Sequence, residues 1–108
     1  MVTSPALRTI RIRTRLHNGI ADVQILMLHP METGMRVDDA GKLVPAHHLT
    51  DVTVALAGRT VFSARMSIAV SRDPLLAFRV AGAQAGQRLR VVWNDSRGET
   101  DTAEALLA

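Results

Sequence analysis

The chain of 108 residues is 47% hydrophobic and 21% charged, and its formal net charge of +3 comes from 13 Lys and Arg against 10 Asp and Glu. This length suits one domain over residues 1–108, and no apolar run approaches the roughly 18 residues of a membrane span. The absence of cysteine excludes disulfides and a thiol nucleophile, and basic residues spread without interleaved aromatics argue against nucleic-acid binding.

The first predicted element is a strand over residues 8–16, in which apolar side chains and arginines alternate. One face then points to a core and the other to water, as in many antiparallel sheets. The residues predicted on the solvent-exposed face are Arg11, Arg13 and Arg15. Because arginines stand where a signal peptide would have its apolar region, we expect the chain to carry no export signal of its own.

Asn18-Gly19 is a favoured pair for a tight hairpin turn, and it leads into a second predicted strand, Ile20 to Leu28. This strand begins by alternating but becomes apolar on both faces over its last four residues. A strand end of this kind is covered on both sides, by the loop that follows or by another protein. The residues predicted to contact another protein are Ile25, Leu26 and Leu28.

The segment from His29 to Leu49 is long for a loop and holds three of the four histidines. It is apolar enough to pack, and long ordered connections are usually functional. Two prolines restrict its backbone, and Gly34 permits a turn with positive φ. We therefore predict a packed loop that presents a binding surface. The predicted surface residues are His29, Pro30, Met31, Glu32, Thr33, Gly34, Pro45, His47 and His48.

The remaining sequence predicts five or six further short strands separated by turn residues. They are Leu49–Ala57, Thr60–Met66 after a turn at Gly58-Arg59, a separate edge strand that could form over Ser67–Val70, Leu75–Ala81, Gln87–Asn94 and Glu99–Leu106. This pattern predicts an all-β fold, an immunoglobulin-like antiparallel β-sandwich of about seven strands, with a small barrel as the alternative. Trp93 and Phe78 are predicted to lie between the sheets.

Metal binding is the first chemistry to consider for the long loop. Its potential ligands are His29, Glu32, Asp38, Asp39, His47 and His48. In an extended chain the adjacent histidines would point opposite ways, with His48 on the face of Thr50 and Val52 and His47 on that of Leu49. The spacing matches no established metal motif. We therefore predict no metal, and histidines that hydrogen-bond to the loop backbone instead.

Catalysis by this chain alone is not predicted. None of the five serines stands in a nucleophile-elbow pattern. Gly82 and Gly86 lie between strands with no helix following, so they form no phosphate cradle. The sequence therefore predicts no catalytic residue and no cofactor.

Five motifs resemble the SoxZ family of the thiosulfate-oxidation system, and the similarity extends over essentially the whole chain. The motifs are HPMETG at 29–34, a charged stretch with glycine at 38–42, VPAHHL at 44–49, VSRDP at 70–74 and WNDSRGETDTAEA at 93–105. HPMETG followed by PAH at this distance is specific for the family. Val37 stands where the family pattern has a basic residue, and His48 where it often has an aromatic.

The resemblance implies a non-catalytic scaffold subunit of a heterodimeric sulfur carrier with an immunoglobulin-like fold. The implied partner, a SoxY-like subunit, carries a cysteine on a flexible glycine-rich C-terminal arm that holds sulfur intermediates covalently. Sox enzymes would dock transiently on this heterodimer. The resemblance also implies a periplasmic location, reached by export together with the partner, and an isolated chain could form a homodimer.

Two other functions stay open at this point. One is a small metal-binding or enzymatic domain that uses His29, His47 and Glu32. The other is a self-associating β-sandwich without a carrier role.

Overall fold

The alternating segments of the sequence form seven strands in a computed structural model, which describes residues 8–108. The strands are β1 (Ile10–His17), β2 (Ile20–Met27), β3 (Leu49–Leu56), β4 (Arg59–Arg65), β5 (Leu75–Ala81), β6 (Arg88–Asp95) and β7 (Thr100–Leu106). Residues 1–7, part of the segment in which an export signal was sought, lie outside the described residues. No helix in residues 8–108 is long and apolar enough to cross a membrane.

Two antiparallel sheets face each other, one of three strands in the order β1-β2-β5 and one of four in the order β4-β3-β6-β7. The predicted all-β, immunoglobulin-like sandwich of about seven strands is confirmed. The predicted turn at Asn18-Gly19 joins β1 to β2, and both residues adopt positive φ, as a tight hairpin requires.

The core lies between the sheets and is made of the inward-facing residues of the central strands. Trp93 is buried there as predicted, and its indole N–H donates to Thr9 Oγ1 at 3.0 Å. Phe78 is only half-buried, because it lies on the edge strand β5, where its ring stacks on Phe62 of β4 at 4.8 Å.

Two local predictions are wrong. Residues 67–70 form a turn instead of an edge strand: the Ser67 hydroxyl accepts from the backbone N–H of Ala69, and the Ser67 carbonyl accepts from that of Val70. The β3–β4 turn is at Ala57-Gly58, one residue earlier than predicted, since these two residues adopt positive φ and Leu56 pairs with Arg59.

A β-bulge at the start of β3 overturns the prediction that His48 shares a face with Val52. The register against β6 shifts between Leu49 and Asp51, so that Leu49 and Val52 are both buried although they are three residues apart. An extra residue in one strand reverses the alternation of side chains on either side of it. His47 points inward like Leu49, as predicted, but counting back from Val52 would have placed it on the outer face.

One end of the sandwich carries the long loop and is called here the Asp95 end. Strands β2, β4 and β6 finish there, and β1, β3, β5 and β7 begin there. At this end Thr9 donates from both its backbone N–H and its hydroxyl to Asp101 Oδ2, at 2.8 and 2.7 Å. This pair of bonds fastens the start of β1 to β7.

Candidate functional site

A buried cluster of two histidines and one aspartate lies at the Asp95 end of the sandwich. Asp95 Oδ2 is 3.0 Å from His29 Nε2 and 2.8 Å from His47 Nε2. The Asp95 side chain has no exposed surface, and only His47 has a partly exposed ring, at 16%. The two imidazoles meet edge to face at 4.6 Å, and His29 packs in the same way on Trp93. The cluster therefore ties both ends of the long loop to the core.

The carboxylate of Asp95 is also held from its other side. Its Oδ1 accepts the backbone N–H groups of Arg97 and Glu99 at 3.0 and 2.9 Å. Burial raises the pKa of Asp95, but the hydrogen bonds from His29, His47 and these two amides outweigh it and hold the pKa below its ordinary value. Asp95 is thus an ionised, fully bonded acceptor at neutral pH.

The hydrogen bonds also fix where the imidazole protons sit. The backbone N–H of Met31 points at His29 Nδ1 from 3.2 Å, so that nitrogen must be an acceptor. The proton of the neutral ring is then on Nε2, from which it is donated to Asp95. His47 Nε2 likewise donates, because an ionised carboxylate can only accept. Two N–H groups therefore converge on one carboxylate oxygen.

This proton arrangement bears on metal binding. The ligand atoms of His29, His47 and Asp95 lie within 4.8 Å of one another, so three potential metal ligands do converge. A metal on His29 Nε2 would require the proton on Nδ1, where the Met31 N–H already points, whereas metal-bound histidines normally donate that proton to an acceptor. Glu32, the third ligand of the metal-binding alternative, bonds to Arg36 instead. The geometry favours a structural hydrogen-bonded cluster.

The first residues of the HPMETG segment (29–34) are anchored in the protein. The backbone N–H of His29 donates to Asp73 Oδ1 at 2.9 Å, and the N–H of Asp73 donates to the His29 carbonyl at 3.0 Å. Met31 is buried at a positive φ of 50°, and its Sδ accepts the Leu49 N–H at 3.3 Å. His29 and Met31 were predicted as surface residues, and for both the prediction is wrong because their side chains pack inward.

The next residues start an antiparallel hairpin, here called the 32–47 hairpin. Glu32 and His47 exchange backbone hydrogen bonds of 2.7 and 2.9 Å. The guanidinium of Arg36 donates to both oxygens of Glu32, with a shortest distance of 2.8 Å, and holds the pKa of Glu32 below its ordinary value. The Thr33 hydroxyl accepts the N–H of Met35 at 3.0 Å. The base of the hairpin is therefore fixed by paired groups.

Gly34 adopts the positive φ that the sequence predicts, 87°. A Cβ at this position would lie 3.1 Å from the Cβ of Ala46 on the opposite strand of the hairpin. Both the backbone conformation and the close approach exclude a larger residue without strain. Gly34 is therefore a structural element of the hairpin base.

The outer half of the hairpin exposes an apolar face, contrary to the prediction that these residues let the loop pack. Val37 and Leu43 pair directly across it, and Met35 and Pro45 lie two residues nearer its base and are exposed as well. Met35, Val37 and Leu43 are 69%, 56% and 66% exposed. Asp38 closes the turn, with Oδ1 accepting the N–H groups of residues 40 and 42 at 2.9 Å.

The structure also places the other predicted surface and interface residues. Ile25 is fully buried in the chain's own core, which removes it from the predicted contact surface because its strand position faces inward. Leu26 is half-buried and Leu28 is exposed. His48 is half-buried, and its backbone N–H donates to Ser96 Oγ at 3.0 Å. Pro30 is exposed, and so are the arginines of β1 that were predicted to face solvent.

Two aspartates have roles that were not predicted from the sequence. Asp95 falls between the predicted strands Gln87–Asn94 and Glu99–Leu106, yet the inward series Leu89, Val91 and Trp93 continues to it at the same spacing of two. That alternation was the signal that could have placed its side chain in the core. Asp73 was also read as a turn residue, and nothing in its local sequence indicates that it bonds to His29, 44 residues away.

Comparison with known families gives one result for this chain. The model of the family described as sulphur oxidation protein SoxZ matches residues 10–106. No curated protein matches the chain. The family match covers all seven strands and the 32–47 hairpin.

Proposed function

We propose, since this chain belongs to the SoxZ family of sulphur oxidation proteins, that it is the non-catalytic scaffold subunit of a heterodimeric sulfur carrier. The family supports a role in the Sox sulfur-oxidation system. In the proposed role, a partner subunit carries the sulfur intermediates and this chain supports it while the oxidising enzymes dock.

The observation that carries this proposal is how the chemically capable groups of the long loop are used. Asp95, His29 and His47 bond to one another, and Glu32 bonds to Arg36. With no cysteine in the sequence, the chain supplies no thiol to bear a sulfur intermediate. The groups that could do chemistry instead stabilise a rigid loop, as expected of a scaffold.

The proposed partner is a SoxY-like subunit with a cysteine on a flexible C-terminal arm. Leu26 and Leu28 would contribute to the contact, and the exposed side of the HPMETG segment would lie near the arm. Arg36 and Arg72 flank an open groove along that segment. A sulfur intermediate that ends in anionic oxygens would be attracted to the Arg72 guanidinium, which is largely exposed. Export together with the partner would place the heterodimer in the periplasm.

Co-expression with the cysteine-ended SoxY-type protein of the same organism tests the proposal. We expect a stable one-to-one complex, and thiosulfate oxidation by the reconstituted Sox enzymes only when both chains are present. Serine in place of the partner's cysteine should abolish turnover but leave the complex intact. Turnover that is unchanged when this chain is left out would contradict the scaffold role.

A further inference from the structure

Exposed apolar side chains are concentrated at one end of the molecule. Seven large hydrophobic residues are exposed among residues 8–108. Six of them belong to the strand ends and connections of the Asp95 end, and one, Leu106, lies at the far end of β7. The six are Leu28, Met35, Val37, Leu43, Ile68 and Leu75.

The exposed area of these side chains approaches the area that one side of a specific protein interface buries. Scaled by the full areas of ordinary side chains, the six expose roughly 600 Å², against ~800 Å² per partner in a standard interface. Half of the six lie on the 32–47 hairpin. A two-stranded hairpin is only marginally stable in water by itself, so an apolar face of this kind favours a covering partner.

The hairpin presents this face in a fixed position. Its base is tied to the core by the cluster around Asp95, and the Glu32–Arg36 pair stabilises the hairpin internally. A docking element that is already ordered loses less conformational entropy on binding. The cluster therefore positions the hairpin, and Asp95 acts as its positioning residue.

The charges around this face indicate the chemistry of the partner. Lys42, Arg65 and Arg97 are exposed, and none has an acidic group within ion-pair distance in the described part of the chain. Many acidic groups at the same end are engaged internally, Asp95 and Glu32 among them. Asp38 and Asp39 add exposed carboxylates on the hairpin itself, so the charges at this end are mixed, whereas the whole chain has a formal net charge of +3. Two copies that each have a net charge of +3 would repel each other, whereas a partner with a net negative charge would be attracted.

From these observations we infer that the apolar face of the 32–47 hairpin is the docking site of the carrier's other subunit, which meets it with an apolar surface and carries a net negative charge. This inference rests on the proposed function and identifies the surface through which the partner binds. The half-buried Leu26 then lies beside the contact, and the hairpin forms its centre.

Affinity for the purified SoxY-type subunit tests the inference, with Leu43→Asp as the main variant. Leu106→Asp is the matched control, because the two leucines are 66% and 60% exposed but lie at opposite ends of the molecule. We expect Leu43→Asp to weaken binding on the order of tenfold or more, as for a central interface residue, and Leu106→Asp to leave it unchanged. Lys42→Glu should lower the association rate and reduce its dependence on salt.

The outcomes separate this inference from the proposed function. If the wild-type chain does not bind the SoxY-type subunit, both are overturned. If the wild-type chain binds and Leu43→Asp binds equally well, only the docking site is overturned. Self-association of the wild-type chain that outcompetes the partner and is lost in Leu43→Asp would assign the face to a second copy instead. Met35→Ser, at another exposed position, gives the same comparison if Leu43→Asp does not fold.

Discussion

Replacing Asp95 by asparagine tests whether the buried cluster holds the base of the hairpin. The new amide oxygen can still accept the backbone N–H groups of Arg97 and Glu99, but the amide N–H₂ group would face two N–H donors. His47 can adapt by moving its proton to Nδ1, since its ring is partly exposed. His29 cannot, because its Nδ1 accepts from Met31. A buried donor is therefore left without an acceptor.

The magnitude follows from the bonds that are lost. Hydrogen bonds to a charged group contribute about 1.5–3 kcal/mol each, and an unsatisfied buried donor costs about 1–3 kcal/mol. Partial adaptation by His47 lowers the total, so we expect Asp95→Asn to reduce the free energy of unfolding by about 2–4 kcal/mol. Urea denaturation followed by the fluorescence of Trp93, the sole tryptophan, measures it. Asp39→Asn, which removes the charge of an exposed turn residue, is the control.

The effect should also depend on pH in a defined direction. The folded-state pKa of Asp95 is lowered, so its stabilisation is fully present above the unfolded pKa of about 3.9 and is lost as pH falls through the lower folded value. The difference in unfolding free energy between wild type and Asp95→Asn should thus be largest at about pH 5–7 and should shrink below about pH 4. A gap under about 1 kcal/mol at pH 7, no more than an ordinary surface change gives, would refute the reasoning.

Three further predictions concern the core, the hairpin base and the solvent-exposed face of β1. Trp93→Ala should cost about 3–5 kcal/mol of unfolding free energy, as large aromatic truncations do, and a cost near zero would place Trp93 outside the core. Gly34→Ala should destabilise the protein by about 1 kcal/mol more than Gly41→Ala does, because both glycines have positive φ but only Gly34 lies close to a neighbouring residue. Equal losses of unfolding free energy in urea denaturation would count against a tight hairpin base. Arg13→Ala should change stability by no more than about 0.5 kcal/mol, and a larger loss would mean that Arg13 has a structural partner.

The fold was predictable because its strands alternate cleanly. The series Leu89, Val91 and Trp93 identifies an inward face without any tertiary information, and β5 begins and ends where the sequence predicts. Predictions failed where one extra residue shifts the alternation of inward-facing and outward-facing side chains. The bulge at the start of β3 is set by pairing with β6 across the sheet, and nothing local to Thr50 announces it.

The site was predictable in position but not in construction. The loop from His29 to Leu49 was identified by its histidines and prolines, yet its residues were expected to form a surface. Whether His29 is exposed depends on Asp95, a distant residue that supplies a buried acceptor. The outer hairpin was misjudged in the opposite sense, because apolar residues such as Val37 and Leu43 indicate packing, whether within the chain or against a partner.

The central claim is that the 32–47 hairpin is a rigid element, anchored to the core at its base, whose apolar face binds the carrier's other subunit. Amide hydrogen exchange, measured by mass spectrometry on the free chain and on its complex with the SoxY-type subunit, tests this most directly. We predict that binding slows exchange over residues 35–45, while the turn at Asn18-Gly19, at the opposite end of the sandwich, stays unchanged. Unchanged exchange over 35–45, with protection on another face of the sandwich, would contradict the claim.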